Sequence, residues 1–501
     1  MRALFLHLLD HQLHHHTMKK KAQTTRRDFI KTSATAASFF IVPRYVLGGP
    51  GYTAPSDRLN LAAIGAGGKG ISDIRHASVG GRENVVALCD VDFSGSAARS
   101  VEAFPTAKRY ADFRIMLEEE KDIDAVTIST PDHTHAVAAA YAMNRGMHVY
   151  VQKPLAHNIH ETRHLTNLAR QQKVVTQMGN QGASNPNLKL VQKWVDSGVL
   201  GKIHKVQIWT NRPVWPQGFA LNEADASQKP TDLNWDLWLG PAADRPYTPQ
   251  LHPFNWRGWW DFGTGALGDM GCHLIDIPYR TLGLGYPQDA ECSVGAIYTR
   301  MWNAEYHPEG CPASSFVTLH FAATDKTQSP IEMTWSDGGI RPSHPSVIPA
   351  DHDIGGPGSE NGVLIMGENG VISTNVNDSS PLMPKLYLND GTIELGPQTE
   401  DFPDPEYGHH RAWIDACKAG FDSKEHRALT SSFDYAGPMT ETVLMGNLAI
   451  RSYMLRQERE EGGWRYHARK KLLWDGDQMS ITNIADANQF VGRIYRDGWS
   501  L

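Results

Sequence analysis

The chain has 501 residues, of which 41% are hydrophobic and 21% charged, and its formal net charge at pH 7 is −7. This composition is typical of a globular protein with two or three domains, and its acidic balance provides no basic surface for nucleic acid. The five cysteines form neither a C-x-x-C pair nor a zinc-type spacing, so we expect no metal site.

The first fifty residues have the pattern of an export signal rather than of a folded domain. Residues 25–31 read TRRDFIK and resemble a twin-arginine signal, and the apolar stretch at 32–42 is far shorter than the roughly 20 residues of a spanning helix. We therefore expect residues 1–50 to be a leader, with Met18 as a better start than Met1. The expected partner is the twin-arginine export machinery, with a periplasmic or otherwise exported location and no membrane span.

A glycine-rich turn follows the first predicted strand, 59–64. It reads G-x-G-x-x-G, in which the glycines allow a tight turn, close approach to a pyrophosphate, and packing of a helix on the strand. The second predicted strand ends at Asp90, 20 residues after the last glycine, where a carboxylate accepts hydrogen bonds from an adenosine ribose. Asp92 is an alternative. Such an acid repels a 2′-phosphate, which favours NAD over NADP. The predicted cofactor contacts in this segment are Gly65, Gly67, Gly68, Lys69, Gly70 and Asp90.

Strands and helices alternate through the rest of the first half. The pattern predicts helices at 113–121, 136–145 and 160–172, and strands at 124–130, 148–151 and 174–178. This alternation is typical of a doubly wound parallel sheet, so we assign residues 57–182 to an α/β Rossmann domain. Ligands bind beyond the carboxyl ends of such strands. The further cofactor contacts predicted there are Thr130, Pro131, His135, Lys153, Asn180 and Gln181.

The second half has a different pattern. It predicts helices at 189–197, 409–419 and 438–454, and strands at 203–210, 316–321, 331–335, 363–366 and 371–374, the last two joined by an Asn-Gly hairpin. Residues 183–455 are therefore assigned to an α+β domain with an open, mainly antiparallel sheet. The Gly/Pro-rich segment 337–362 is predicted to be a loop near the site. Residues 456–501 form a C-terminal extension to which the sequence assigns no role.

Four segments together resemble the Gfo/Idh/MocA oxidoreductases. They are the glycine turn, TPDHTH at 130–135, GMHVYVQKP at 146–154 and GALGDMGCHLID at 265–276. The resemblance extends from residue 58 to about residue 455. It includes the exported, twin-arginine members of the family, among them NAD-dependent glycosidases and glycoside 3-dehydrogenases.

The resemblance implies roles for individual residues. Lys153 matches the lysine of the family's E-K-P motif, which contacts cofactor and substrate. Asp269 and His273 match its D-x-x-x-H catalytic segment. The same resemblance places Thr130, Pro131 and His135 near the nicotinamide ribose. One residue departs from the pattern, because Gln152 replaces the usual Glu and leaves Lys153 without an adjacent counter-charge.

The chemistry of alcohol oxidation requires a base for the hydroxyl proton. A histidine titrates near neutral pH without further tuning, so we assign the acid/base role to His273, with Lys153 as the alternative. Asp269 would orient His273 or bind a substrate hydroxyl. Just upstream, Trp256, Arg257, Trp259 and Asp261 are predicted to contact a sugar through aromatic faces and polar groups. The alternative for this segment is an aromatic core cluster.

These inferences favour an NAD-dependent oxidoreductase acting on a sugar, cyclitol or glycoside by hydride transfer to the bound nicotinamide. Free cofactor is scarce outside the cytoplasm, so a redox-neutral glycoside hydrolase or epimerase with tightly bound NAD is an alternative. A non-catalytic sugar-binding protein is a third. The resemblance also leads us to expect a homo-oligomer.

Overall fold

The computed structural model describes residues 57–79, 81–375, 383–396 and 405–501. The predicted leader at 1–50 lies outside the described residues. Arg58–Leu501 form one packed unit. Within the described residues, no helix is both long enough and apolar enough to cross a membrane.

The first half contains a parallel six-stranded sheet in the order β3-β2-β1-β4-β5-β6. Every pair of neighbours in it is parallel. Its central strands are buried on both faces because helices cover both sides. The Rossmann prediction is therefore confirmed. The strands are β1 Asn60–Ile64, β2 Asn84–Cys89, β3 Lys108–Tyr110, β4 Ala125–Ile128, β5 His148–Gln152 and β6 Thr176–Gly179.

Three of the five helices given for this half begin where the local sequence supplies a cap or a proline. Asp112 accepts a hydrogen bond from the Arg114 amide, and Asn158 accepts one from the Glu161 amide, each satisfying a free N–H of a first turn. The fourth helix begins directly after Pro131, four residues before the predicted start at 136. The helices are α1 Lys69–Ser78, α2 Ala98–Ala103, α3 Phe113–Glu119, α4 Asp132–Met143 and α5 Ile159–Gln172.

The second half contains an open ten-stranded sheet in the described part of the chain, in the order β16-β15-β14-β13-β7-β12-β11-β8-β19-β20. The β7–β12 pair is parallel and the other neighbours are antiparallel, so the predicted mainly antiparallel sheet is confirmed. Two short hairpins, β9–β10 and β17–β18, stand apart. The strands are β7 Ile203–Trp209, β8 Asp289–Val294, β9 Tyr298–Arg300, β10 Asn303–Ala304, β11 Ser315–Phe321, β12 Ile331–Ser336, β13 Gly362–Gly367, β14 Gly370–Thr374, β15 Lys385–Leu388, β16 Ile393–Leu395, β17 Arg456–Glu458, β18 Trp464–Tyr466, β19 Leu472–Asp475 and β20 Ser480–Ile481.

A long helix connects the two sheets. It spans Phe433–Tyr453, beginning five residues before the predicted start at Pro438, which lies inside it. It packs on α5, where Arg163 pairs with Glu441 through two hydrogen bonds of 2.7 Å, and also on β8. The helices of this half are α6 Leu188–Asp196, α7 Trp235–Leu239, α8 Gly265–Leu274, α9 Asp276–Leu282, α10 Pro405–Ala419, α11 Lys424–Arg427 and α12 Phe433–Tyr453.

Two segments outside these elements differ from expectation. Residues 337–361 form a loop as predicted, but Ile348 and Ile354 pack against Trp209 on the large sheet, so the loop covers that sheet instead of a ligand site. The C-terminal extension is folded: β19 joins the large sheet beside β8. Its last residues then return to the first domain, where the Arg114 guanidinium donates to the Gly498 carbonyl at 3.2 Å.

Candidate active site

A cleft of about 790 Å³ opens at the carboxyl ends of β1, β2, β4 and β5. This is the edge of a doubly wound sheet at which ligands bind. Residues of the first domain form one side of the cleft, and α7, α8, the segment before α8 and the C-terminus contribute the rest. Both sequence-predicted groups, the glycine turn and the lysine–aspartate pair, therefore face one cavity.

The glycine turn shapes one end of this cleft. Gly65 has φ +74°, and a Cβ added to it would lie 2.7 Å from the Thr130 amide nitrogen. At Gly70 an added Cβ would lie 1.9 Å from the Gly65 carbonyl oxygen, so this glycine serves helix–strand packing and does not line the cleft. Gly68 has φ +52° and faces open space. The backbone at the start of α1 thus forms an open cradle that a side chain would fill, which suits a pyrophosphate.

Asp90 stands beside this cradle. Its Oδ2 accepts a hydrogen bond of 2.8 Å from the Gly67 amide, and its Oδ1 accepts one of 2.9 Å from the Asp92 amide. Burial raises the pKa of the Asp90 carboxyl to about 6. Asp92 caps the following turn instead, accepting from the amides of Gly95 and Ser96. Asp90, not Asp92, therefore lines the cleft.

The turn after β4 carries a polar group suited to a ligand. Thr130 and Pro131 line the cleft, and the buried Oγ1 of Thr130 has no hydrogen-bond partner among the described residues. His135 is buried behind them, with Nδ1 2.8 Å from the Pro154 carbonyl oxygen and Nε2 2.8 Å from that of Thr130. The prediction that His135 contacts the cofactor is corrected: the ring joins two loops and does not reach the cleft.

The opposite end of the cleft is charged. The Lys153 ammonium donates to Asp269 Oδ1 at 2.9 Å and to the Asp269 carbonyl at 2.7 Å. The Arg257 Nε lies 3.4 Å from the same carboxylate oxygen. Burial acts to raise the pKa of Asp269, but the charges of Lys153 and Arg257 outweigh it and hold that pKa at about 2. All three residues line the cleft.

His273 lies one turn beyond Asp269 on α8. It is 4% exposed, and its Nδ1 is 2.9 Å from the Asn180 Oδ1. Neither residue lines the cleft, so the prediction that Asn180 contacts the cofactor is corrected: Asn180 is buried against His273. Gln181 does line the cleft, where its amide donates to the Tyr150 hydroxyl at 2.9 Å. The acid/base role of His273 stays a prediction.

Gln152, the departure from the family pattern, contacts a carboxylate from another element. Its Nε2 donates to the Asp73 Oδ2 at 2.9 Å. Asp73 also accepts from the Ser129 hydroxyl at 2.6 Å and lies 3.1 Å from the His410 Nε2. Burial acts to raise the pKa of Asp73, but contacts led by His410 lower it. The buried negative charge beside position 152 therefore comes from α1, and Asp269 supplies the counter-charge of Lys153.

The aromatic segment before α8 divides into two parts. The Arg257 guanidinium lies over the rings of Phe254 and Trp256, at 4.2 and 4.3 Å from their centroids, and these three residues line the cleft. Trp259 is 1% exposed and packs in the core, and Asp261 pairs with Arg245. The prediction of substrate contact is therefore corrected for Trp259 and Asp261: the short helix that carries Trp256 and Arg257 ends at Gly258, and these two residues after it do not line the cleft.

Several residues of the cleft were not predicted from the sequence. Some of them follow a strand but belong to no distinctive motif, and others come from segments far along the chain. No local sequence pattern therefore identifies them. The unpredicted aromatic residues of the lining are Phe113, Trp238, His252, Phe254 and Trp499.

The fold and the cleft define a two-domain, dinucleotide-binding protein, and comparison with family models agrees. Residues 59–180 match the model for "Oxidoreductase family, NAD-binding Rossmann fold", and residues 184–294 match that for the family's C-terminal alpha/beta domain. Residues 59–180 and 184–294 thus match the two domains of the Gfo/Idh/MocA oxidoreductase family, and the first of them is an NAD-binding Rossmann domain.

Curated relatives match parts of the chain. A levoglucosan dehydrogenase of Pseudarthrobacter phenanthrenivorans is 24% identical over 40% of this chain and 42% of its own length. A glycosyl hydrolase family 109 protein of Shewanella pealeana is 27% identical over 36% of this chain and 44% of its own length. The chain thus spans less than half the length of these relatives.

Solved structures share the fold. An inositol dehydrogenase homologue of Azotobacter vinelandii, complexed with NADH and myo-inositol, is 15% identical with a TM-score of 0.52, covering 81% of this chain and 97% of that one. The WlbA dehydrogenase of Bordetella pertussis, in complex with NADH and UDP-GlcNAcA, is also 15% identical, with a TM-score of 0.51 and coverage of 79% and 97%. At this identity the likeness concerns the fold.

Proposed function

We propose that the protein is an NAD-dependent oxidoreductase that oxidises a hydroxyl group of a sugar, cyclitol or glycoside. The observation that carries this proposal is the continuity of one cleft between two different groups of residues. The cradle at Gly68 and the Asp90 carboxylate suit a dinucleotide at one end. Lys153, Asp269 and Arg257 present a charged cluster at the other end.

Different residues of the cleft would bind different parts of a dinucleotide. The amides at the start of α1 would bind the pyrophosphate, and Asp90 the adenosine ribose. The Thr130 hydroxyl would form a hydrogen bond with the cofactor. A bound nicotinamide ring supplies the acceptor for the hydride that leaves the substrate carbon.

The charged cluster positions the hydroxyl that reacts. Because Asp269 holds the Lys153 side chain in an ion pair at 2.9 Å, Lys153 acts as a cationic donor to the substrate oxygen. His273, which is 4% exposed and lies one turn beyond Asp269 on α8, is our proposed acceptor of the hydroxyl proton, and Lys153, which lines the cleft, is the alternative.

The charged end of the cleft also carries groups that suit the recognition of a polyol. Arg257 and Asp269 offer a donor and an acceptor for neighbouring hydroxyls, and the exposed ring of Phe254 offers apolar surface for the C–H side of a ring. The names of relatives agree with this class, since they include levoglucosan dehydrogenase and, in Rhizobium meliloti at 27% identity, inositol 2-dehydrogenase.

We further propose that the protein is exported by the twin-arginine machinery and works as a homo-oligomer outside the cytoplasm. The sequence at 25–31 supports export. In that location a redox-neutral glycosidase is the second candidate, and two relatives named glycosyl hydrolase family 109 proteins favour it. In that reaction the electrons taken from the sugar return to it within one turnover, so glycoside and water are the net reactants.

The test combines nucleotide analysis with a substrate panel. Protein purified without added cofactor is denatured, and the released nucleotide is identified by mass spectrometry; NAD or NADH is expected. The protein is then assayed with NAD against free polyols and aryl glycosides. Growth of the reduced-nicotinamide absorbance band supports net oxidation, and release of the aryl alcohol without that band supports the glycosidase. Failure to bind NAD or NADH would overturn both.

A further inference from the structure

The end of the cleft farthest from Lys153 has walls that the proposed function leaves unassigned. Phe113 follows β3, at the outer edge of the parallel sheet, whereas Lys153 follows β5 on the other side of β1. Asp90 lies between them at the end of β2. This end of the cleft is therefore the adenosine end, and its lining combines the aromatic rings of Phe113 and Trp499 with the charged side chains of Arg99 and Asp112.

Trp499 comes from the C-terminal extension, 386 residues after Phe113 along the chain. The two rings lie with their centroids 6.0 Å apart at an angle of 52°. The Arg114 guanidinium lies 4.3 Å from the centroid of the Trp499 ring. The ring is only partly buried, so part of its apolar surface faces the cleft.

Several hydrogen bonds hold the segment that carries this ring. Arg496 donates to the Asp236 carboxylate at 2.6 Å and to the Gly240 carbonyl at 3.0 Å. Arg114 donates to the Gly498 carbonyl at 3.2 Å. The C-terminus is thus tied to α7 and to the start of α3, which are the two walls on either side of the adenosine end.

We propose that Trp499 is an adenine-binding residue and that the C-terminal segment 493–501 completes the adenosine half of the dinucleotide site. This inference rests on the proposed function. A purine has two flat apolar faces, and stacking on an aromatic side chain contributes to its binding. Phe113, Trp238 and Trp499 line the same cleft as Asp90, the carboxylate assigned to the adenosine ribose.

The experiment measures the binding of the two halves of the cofactor separately. Trp499→Ala and Trp499→Leu are compared with wild type for binding of NADH, ADP-ribose and reduced nicotinamide mononucleotide by calorimetry. Trp464→Ala is the matched control, because Trp464 is a half-exposed tryptophan of the same extension that packs on Arg456, away from the cleft. Thermal unfolding without ligand checks that each variant is folded, and the leucine variant retains most of the apolar volume.

We expect both Trp499 variants to bind NADH and ADP-ribose about tenfold more weakly than wild type, with binding of the mononucleotide unchanged. Trp464→Ala should bind all three like wild type. Unchanged affinity of the Trp499 variants for NADH overturns the inference, and so does an equal loss for the mononucleotide, which would place the ring at the other end. If wild type itself binds no NADH, the proposed function fails as well, so the two failures are distinct.

Discussion

The two ends of the cleft are built in different ways. At the catalytic end, Lys153, Asp269 and Arg257 form a chain of ion pairs with short contacts. At the adenosine end, the aromatic side chains of Phe113 and Trp499 line the cleft together with Asp90, Arg99 and Asp112. The first arrangement fixes charges at defined positions, whereas the second provides shape and apolar area. Substitutions at the catalytic end should therefore affect turnover, and substitutions at the adenosine end should affect cofactor affinity.

The largest expected effect is that of Lys153→Met on turnover. Methionine retains much of the side-chain volume but removes the ammonium that pairs with Asp269 and that we propose as the donor to the substrate oxygen. We expect kcat to fall about a thousandfold, while NAD affinity changes by less than about threefold. Steady-state kinetics and calorimetry on the same preparation measure the two quantities.

The matched control for this substitution is Lys121→Met, at an exposed lysine away from the cleft. It should leave both quantities unchanged. A Lys153→Met variant that kept at least a tenth of wild-type kcat would contradict a role for the ammonium at the reacting oxygen. A large loss of NAD affinity with normal kcat would instead assign Lys153 to cofactor binding.

The next effect concerns stability at the boundary between the two ends. Gln152→Glu would place a second carboxyl against Asp73, at a contact where the amide now donates at 2.9 Å. Both side chains are buried, so the free energy of unfolding at neutral pH should fall by about 2–3 kcal/mol. The introduced carboxyl would have a raised pKa, so the loss should shrink as the pH falls through that value. Denaturant unfolding at several pH values measures it.

Gln171→Glu serves as the control, because Gln171 is exposed on α5. It should be within about 0.5 kcal/mol of wild type at every pH. Lys69 and His410 lie 3.7 and 3.1 Å from the Asp73 carboxylate. Equal stability of Gln152→Glu and wild type at neutral pH would mean that these two residues offset the repulsion between the two carboxylates.

The sequence predicted the parts of the site that depend on local spacing. The glycine turn, Asp90 and the lysine after β5 follow buried strands, and the chain order of strands and helices places them at one edge of the sheet. Helix starts were less accurate. The fourth helix begins at Asp132 because Pro131 is well suited to precede a first turn, and the alanine run at 136 only continues it.

The errors and omissions concern contacts between distant segments. Trp256 and Trp259 are three residues apart, equally aromatic and both buried, but Trp256 reaches the lining of the cleft whereas Trp259 pairs with Gly310 across a β-bridge. No pattern within the segment 256–262 contains that information. Trp499 is a stronger case, since its position depends on contacts of Arg496 and Gly498 with α7 and Arg114, which no motif marks.

The smallest expected effect is a pH dependence at the adenosine end. Burial raises the pKa of Asp90 from 3.8 to about 6. A carboxylate accepts hydrogen bonds from ribose hydroxyls more strongly than a carboxylic acid does. NAD affinity should therefore increase about tenfold between about pH 5 and about pH 8, as Asp90 loses its proton.

The same shift has the opposite sign for the stability of the protein without cofactor. Because the folded-state pKa exceeds the unfolded value, the stabilisation from this group is complete below about pH 4 and is lost as the pH rises through about 6. Ionised Asp90 thus costs stability that hydrogen bonds from a bound ribose would offset. Asp90→Asn separates this residue from all others that titrate: its NAD affinity should be weaker than that of wild type above about pH 7 and nearly constant with pH. An undiminished pH dependence in Asp90→Asn would assign the effect to another group and remove Asp90 from the adenosine end.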